Sequence, residues 1–122
     1  MVDTLEYLHK GGRIGGAKRL MGSLLSVKPL LHIQDGRIEP LASPRTKQKA
    51  TDQMLDIIGD EIKRKNNVRM AIVNALAQNE ALHLMEMIQH RFNPVELLQA
   101  DISPVIGTHV GPGAVGVAWI HD

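Results

Sequence analysis

The chain has 122 residues, 43% of them hydrophobic and 22% charged, which suits a single globular domain with one largely aliphatic core and argues against disorder. Fourteen basic residues against thirteen acidic ones leave a net charge of +1, and Tyr7, Phe92 and Trp119 are the only rings, so neither charge nor stacking surface points to nucleic acid. The absence of cysteine excludes disulfides, thiolate catalysis and zinc ribbons, and no apolar run approaches the roughly 20 residues of a membrane span.

The start, Met1-Val2-Asp3-Thr4, has neither the basic nor the apolar region of a signal peptide, so the expected location is the cytoplasm. Leu5, Tyr7 and Leu8 then fall on a short helix over residues 3 to 10, with Asp3 or Thr4 as its N-cap and Gly11-Gly12 as its end. A second helix is expected from Gly15-Gly16, with Ala17, Leu20, Met21, Leu24 and Leu25 in an apolar stripe. The segments 28–33 and 37–42 are strand-like, and Asp35-Gly36 between them is a strong hairpin signal. Pro40 places the second arm at an edge or a bulge, because proline cannot donate to a ladder.

Ser43-Pro44 opens the longest helix, about residues 46 to 65, with Ala50, Met54, Leu55, Ile57, Ile58 and Ile62 inward. Lys63-Arg64-Lys65 suits its negative end. Residues 68–75 form a strand, residues 79–92 a helix stopped by Asn93-Pro94, and 95–102 and 115–120 two further strands. The order predicts an α/β fold of the two-layer α+β kind: a mixed sheet of about four to six strands with helices on one side, in one domain covering residues 1–122.

Between the last two strands lies Gly107-Thr108-His109-Val110-Gly111-Pro112-Gly113, expected as a loop. Its glycines allow sharp turns and a close backbone approach, so the imidazole can meet a carboxylate or phosphate, or move a proton. A histidine that only caps the backbone explains the local pattern equally well. Gly11-Gly12-Arg13-Ile14-Gly15-Gly16 also precedes a helix, but it lacks P-loop spacing and does not follow a strand, which disfavours nucleotides. Arg13 there either grips an anion or lies free at the surface. Arg45-Thr46-Lys47-Gln48-Lys49 puts positive charge at a helix start, against the helix dipole, which mildly favours a binding role for Arg45 and solvated lysines at Lys47 and Lys49. His83 and His90 are seven apart, too far for the i, i+4 pairing a metal site uses, so neither a metal nor another cofactor is expected.

Taken together, Leu5 to Gly15, Leu24 to Leu31, Asp35 to Pro40, Arg45-Thr46-Lys47 and Ile106 to Ala114 resemble, in order, the C-terminal domain of the DegV family of bacterial fatty-acid-binding proteins. The resemblance implies a mixed sheet with packed helices, and a carrier rather than an enzyme, with no catalytic residue of its own. Members enclose one long-chain fatty acid between two domains and present its carboxyl group to a separate fatty acid kinase, which makes an acyl-phosphate. The family's carboxyl-binding histidine falls on His109, with Thr108, Gly111 and Gly113 around it. Its kinase-facing arginines fall on Arg13 and Arg45.

Burying a sixteen- to eighteen-carbon tail releases on the order of 10 kcal/mol at about 0.8 kcal/mol per methylene, and the buried carboxyl group then needs hydrogen bonds. The family's N-terminal domain, whose Thr and Ser complete that site, has no counterpart in these residues. Weak or absent fatty-acid binding by this chain alone, and self-association through the uncovered interdomain face, are therefore expected. Two other readings stand beside this one: a substrate domain related to dihydroxyacetone kinases, and a dimerisation module that binds nothing.

Overall fold

A computed structural model describes residues 1–22 and 27–122. A short helix α1, Glu6–Lys10, is followed by a 3₁₀ helix, Gly15–Leu20. Then come strands β1, Leu30–Gln34, and β2, Arg37–Ala42, and the long helix α2, Lys47–Ile62. Strand β3, Arg69–Asn74, helix α3, Gln78–Phe92, and strand β4, Glu96–Asp101, form a parallel unit. Helix α4, Pro104–Val110, and strand β5, Val115–Ile120, complete the chain.

The α/β class with a mixed sheet is as the sequence leads one to expect, but the five strands among the described residues divide into two sheets. Strands β1 and β2 form an antiparallel hairpin. Its turn is Asp35-Gly36 with φ of 53° and 76°, the left-handed pair that matches strand twist. The register slips between Leu30 and Leu31, and Leu31 faces Pro40, so the proline sits beside an irregularity, where its missing N–H is tolerated. The other sheet has the order β4-β3-β5, with β4 parallel and β5 antiparallel to β3.

Strand alternation sets the two faces of that sheet. Met70 and Ile72 of β3 are buried with Leu55 and Ile58 of α2, Ala81, Leu84 and Ile88 of α3, and Val115. On the opposite face Ala71 pairs with Leu98 on one side and Ala118 on the other, and Leu98 and Ile120 stay 55% and 62% exposed. A second apolar cluster of Val2, Leu5, Leu8, Ile14, Ala17 and Ala114 joins α1, the 3₁₀ helix and the hairpin.

Several boundaries differ from the sequence expectation for local reasons. The second helix is a 3₁₀ turn ending at Leu20, with Leu24 and Leu25 outside the described residues. Thr46 rather than the Ser-Pro pair caps α2, accepting from the Lys49 N–H at 3.1 Å, and α2 closes at Ile62. Thr4 accepts from the Glu6 N–H, whereas Asp3 is used elsewhere. The largest change is α4. Ser103 caps it, accepting from the Ile106 N–H at 3.4 Å, with Pro104 in the first turn, so Gly107, Thr108 and His109 lie on a helix and only Gly111 to Ala114 form a loop.

Candidate functional site

His109 is in the last turn of α4, half-buried, with its ring laid on the backbone of Gly11 after α1. A Cβ at position 11 would overlap the ring at Nδ1, so glycine there is what lets the imidazole seat. Its Nδ1 is buried and has no hydrogen-bond partner among the described residues. An orphaned ring nitrogen is costly unless something polar meets it, and Asp3 Oδ1 and Asn74 Nδ2 are the other buried side-chain atoms without a partner among the described residues.

The loop after His109 is held from both sides. Gly111, φ 83°, ends α4 by donating to the Gly107 carbonyl at 2.9 Å, and a side chain there would enter the Tyr7 ring. Gly113, φ 91°, donates to the Ala75 carbonyl at 2.7 Å, and a side chain there would strike the Asp3 carboxylate. Asp3 Oδ1 lies 3.6 Å from Lys47 Nζ and 3.8 Å from Lys28 Nζ, and Lys47 also reaches Glu80 at 3.5 Å. These are ion-pair rather than hydrogen-bond separations, so Oδ1 accepts no hydrogen bond although it is electrostatically matched. Lys47 is thus half-buried between two carboxylates instead of solvated, and these acids offset its unfavourable place at a helix start.

The other expected residues fall further out. The Thr108 hydroxyl donates to the Pro104 carbonyl at 2.8 Å inside α4, and its side chain faces solvent. Arg13 is exposed two residues after Gly11, and Arg45 is exposed two residues before Lys47. Neither makes an ion pair among the described residues, so both guanidinium groups are open to a partner. The Glu39 carboxylate lies against Gly16, so the glycine-rich turn around Arg13 already has an internal anion beside it.

Next to the loop opens an apolar groove of about 560 Å³, within the size range of ligand sites. It lies between the two apolar clusters and is lined by members of both, among them Leu8, Leu31, Val110, Ile58, Val117 and Trp119. Met54 and Ile57, expected inward, both line this groove, and Met54 also packs on the first cluster. Val110 and Ala114, on either side of the loop at Gly111 to Gly113, line the groove, whereas His109 itself does not.

Asp3, Tyr7 and Gly11 as supports of the loop were not apparent from the sequence. Asp3 was legible only as a helix cap, and no local pattern shows that residues 3 and 113 meet. The double glycine at positions 11–12 was the one available signal, read there as a helix stop.

The geometry is that of an apolar groove beside the turn of α4 that carries His109. The family model described as "Uncharacterised protein, DegV family" matches residues 1–122. The chain is 36% identical over 119 residues to a DegV domain-containing protein of Halalkalibacterium halodurans, covering 98% of this chain and 42% of that protein. With one of Streptomyces coelicolor it shares 42% identity over 117 residues, 95% of this chain and 41% of the other. A fatty-acid-binding DegV family structure from Thermus thermophilus superposes with a TM-score of 0.94 at 30% identity, over 98% of this chain and 43% of that one. The structure of DegV from Bacillus subtilis, described as a fatty acid binding protein, gives 0.83 at 34%, over 100% and 43%. This chain belongs to the DegV family, and it spans about two-fifths of the length of these relatives.

Proposed function

We propose that this chain is the part of a cytoplasmic fatty-acid carrier that receives the carboxyl group and one side of the tail of a long-chain fatty acid. The observation that carries this reading is that the turn of α4 bearing His109 adjoins the roughly 560 Å³ apolar groove through Val110, the next residue, and Ala114. A carboxylate at His109 gains a charge-assisted hydrogen bond, and Val110 and Ala114 lead the tail away from water. The names of the solved relatives, which describe fatty-acid binding, support the same ligand class here. Binding rather than turnover fits the site, and the carboxyl end is then offered to a fatty acid kinase that forms an acyl-phosphate. Arg13 and Arg45, exposed and free of internal ion pairs among the described residues, are suited to steer that phosphate-bearing partner.

The groove is open along one side and the sheet keeps an apolar face in solvent, so the chain by itself binds weakly and self-associates through that face. A short ketose, the ligand of the dihydroxyacetone-kinase reading, does not use an aliphatic groove of this size.

The test is a titration followed through the His109 ring by NMR. Oleate is expected to shift both His109 and the groove methyls of Val110 and Ala114, and oleyl alcohol the methyls alone. His109→Ala is expected to weaken oleate roughly tenfold or more, the loss of one hydrogen bond to a charged group, without affecting the alcohol. Dihydroxyacetone shifting His109 where oleate does not would refute the proposal.

A further inference from the structure

The groove can be followed from the loop after His109 along β5. At one end stand Val110 and Ala114, which flank the loop after His109. From there every residue of β5 from Val115 to Trp119 lines it, so it runs along the strand. Five residue steps from Ala114 to Trp119, at about 3.3 Å each, give a length of roughly 17 Å. One lipid tail reaches about 15 Å, half of the roughly 30 Å hydrocarbon core of a bilayer, so the two lengths agree.

Along β5 the lining stops at Trp119. By strand alternation its side chain shares the helix side with Val115 and Val117. It packs on the cluster of Leu55, Ile58 and Met70, and it pairs across the sheet with Met70, which is 3% exposed. A ring backed by a close-packed core cannot step aside for a longer guest. Ile120 and His121, which follow, are exposed, so no apolar path continues along the strand.

We infer that Trp119 is the far wall of the acyl site and the residue of this chain that limits the tail length it accepts. The inference rests on the fatty-acid reading above and adds a direction: carboxyl group at His109, methyl end at Trp119. A tail that matches this length fills the groove, and longer tails must bend out over the open side.

Trp119 is the single tryptophan of the chain, so its fluorescence reports on this end alone. Wild-type protein is titrated with palmitate carrying bromine either at the terminal carbon or at the carbon next to the carboxyl group, bromine quenching tryptophan on contact. The terminal bromine is expected to quench strongly and the other hardly at all. Trp119→Ala is expected to move the ratio of affinities for a twenty-carbon over a sixteen-carbon acid about tenfold toward the longer one, with Trp119→Phe close to wild type. If Trp119→Ala does not fold, the two brominated acids on the wild type decide the matter alone. Equal quenching, or stronger quenching by bromine near the carboxyl group, overturns the inference while leaving fatty-acid binding intact. No change in fluorescence with either acid, together with no acid retained by the protein in native mass spectrometry, overturns the fatty-acid reading and this inference with it.

Discussion

Gly107, Gly111 and Gly113 look alike in the sequence and do different work. Gly107 lies inside α4, and a Cβ there meets nothing within 4 Å, whereas Gly111 and Gly113 have left-handed φ and press on Tyr7 and Asp3. Gly113→Ala is therefore expected to lose about 1–3 kcal/mol in urea denaturation, because it combines an unfavourable φ with a clash against the Asp3 carboxylate. Gly107→Ala is expected to gain roughly 0.5–1 kcal/mol, as an open helix position does. Equal effects of the two substitutions would show that the loop is not held as described. Local composition marked this stretch as special but could not rank its glycines, since that depends on Tyr7 and Asp3, over a hundred residues away in the chain. Arg13 and Arg45 were legible as exposed cations, and the half-buried double pairing of Lys47 was not.

Helix α4 shows how an element can be hidden by its own motif. The glycines on both sides of His109 suggested an extended loop, yet Ser103 and Pro104 supply a cap and a first turn strong enough to start a helix through Gly107. The hairpin was plain because Asp35-Gly36 determines its turn locally. Helices α2 and α3 were plain because their apolar spacing runs for four turns. The division into two sheets was not, because strand pairing across the hairpin and β5 is set by packing rather than by either strand.

The turn from β3 to α3 carries a local conflict. Leu76 has φ 52° and is 92% exposed, a conformation that costs a non-glycine residue about 1–2 kcal/mol, with no burial of its side chain to offset it. Leu76→Gly is expected to stabilise the chain by about 1 kcal/mol, read as a thermal midpoint several degrees higher. A lower midpoint would mean that the leucine side chain makes a stabilising contact, as it would in an assembled form.

At the scale of the molecule, two apolar clusters fail to merge, and the space between them is the groove. The β4-β3-β5 sheet carries helices on one face, while parallel strand pairs such as β3 and β4 are usually covered on both. The chain covers about two-fifths of its relatives' length. The proposal of a fatty acid rather than a short polar guest draws on the lining, which was legible only as scattered apolar residues on the hairpin, α2 and β5 until the fold placed them together.

The most direct test is native mass spectrometry of the chain mixed with an equimolar panel of palmitate, oleate and dihydroxyacetone at high protein concentration. The expected spectrum shows monomers and dimers carrying one palmitate or oleate per chain, with those adducts lost in His109→Ala and no adduct of dihydroxyacetone. A dihydroxyacetone adduct, or bare protein in the presence of both acids, would contradict a fatty-acid site built from His109 and the groove beside it.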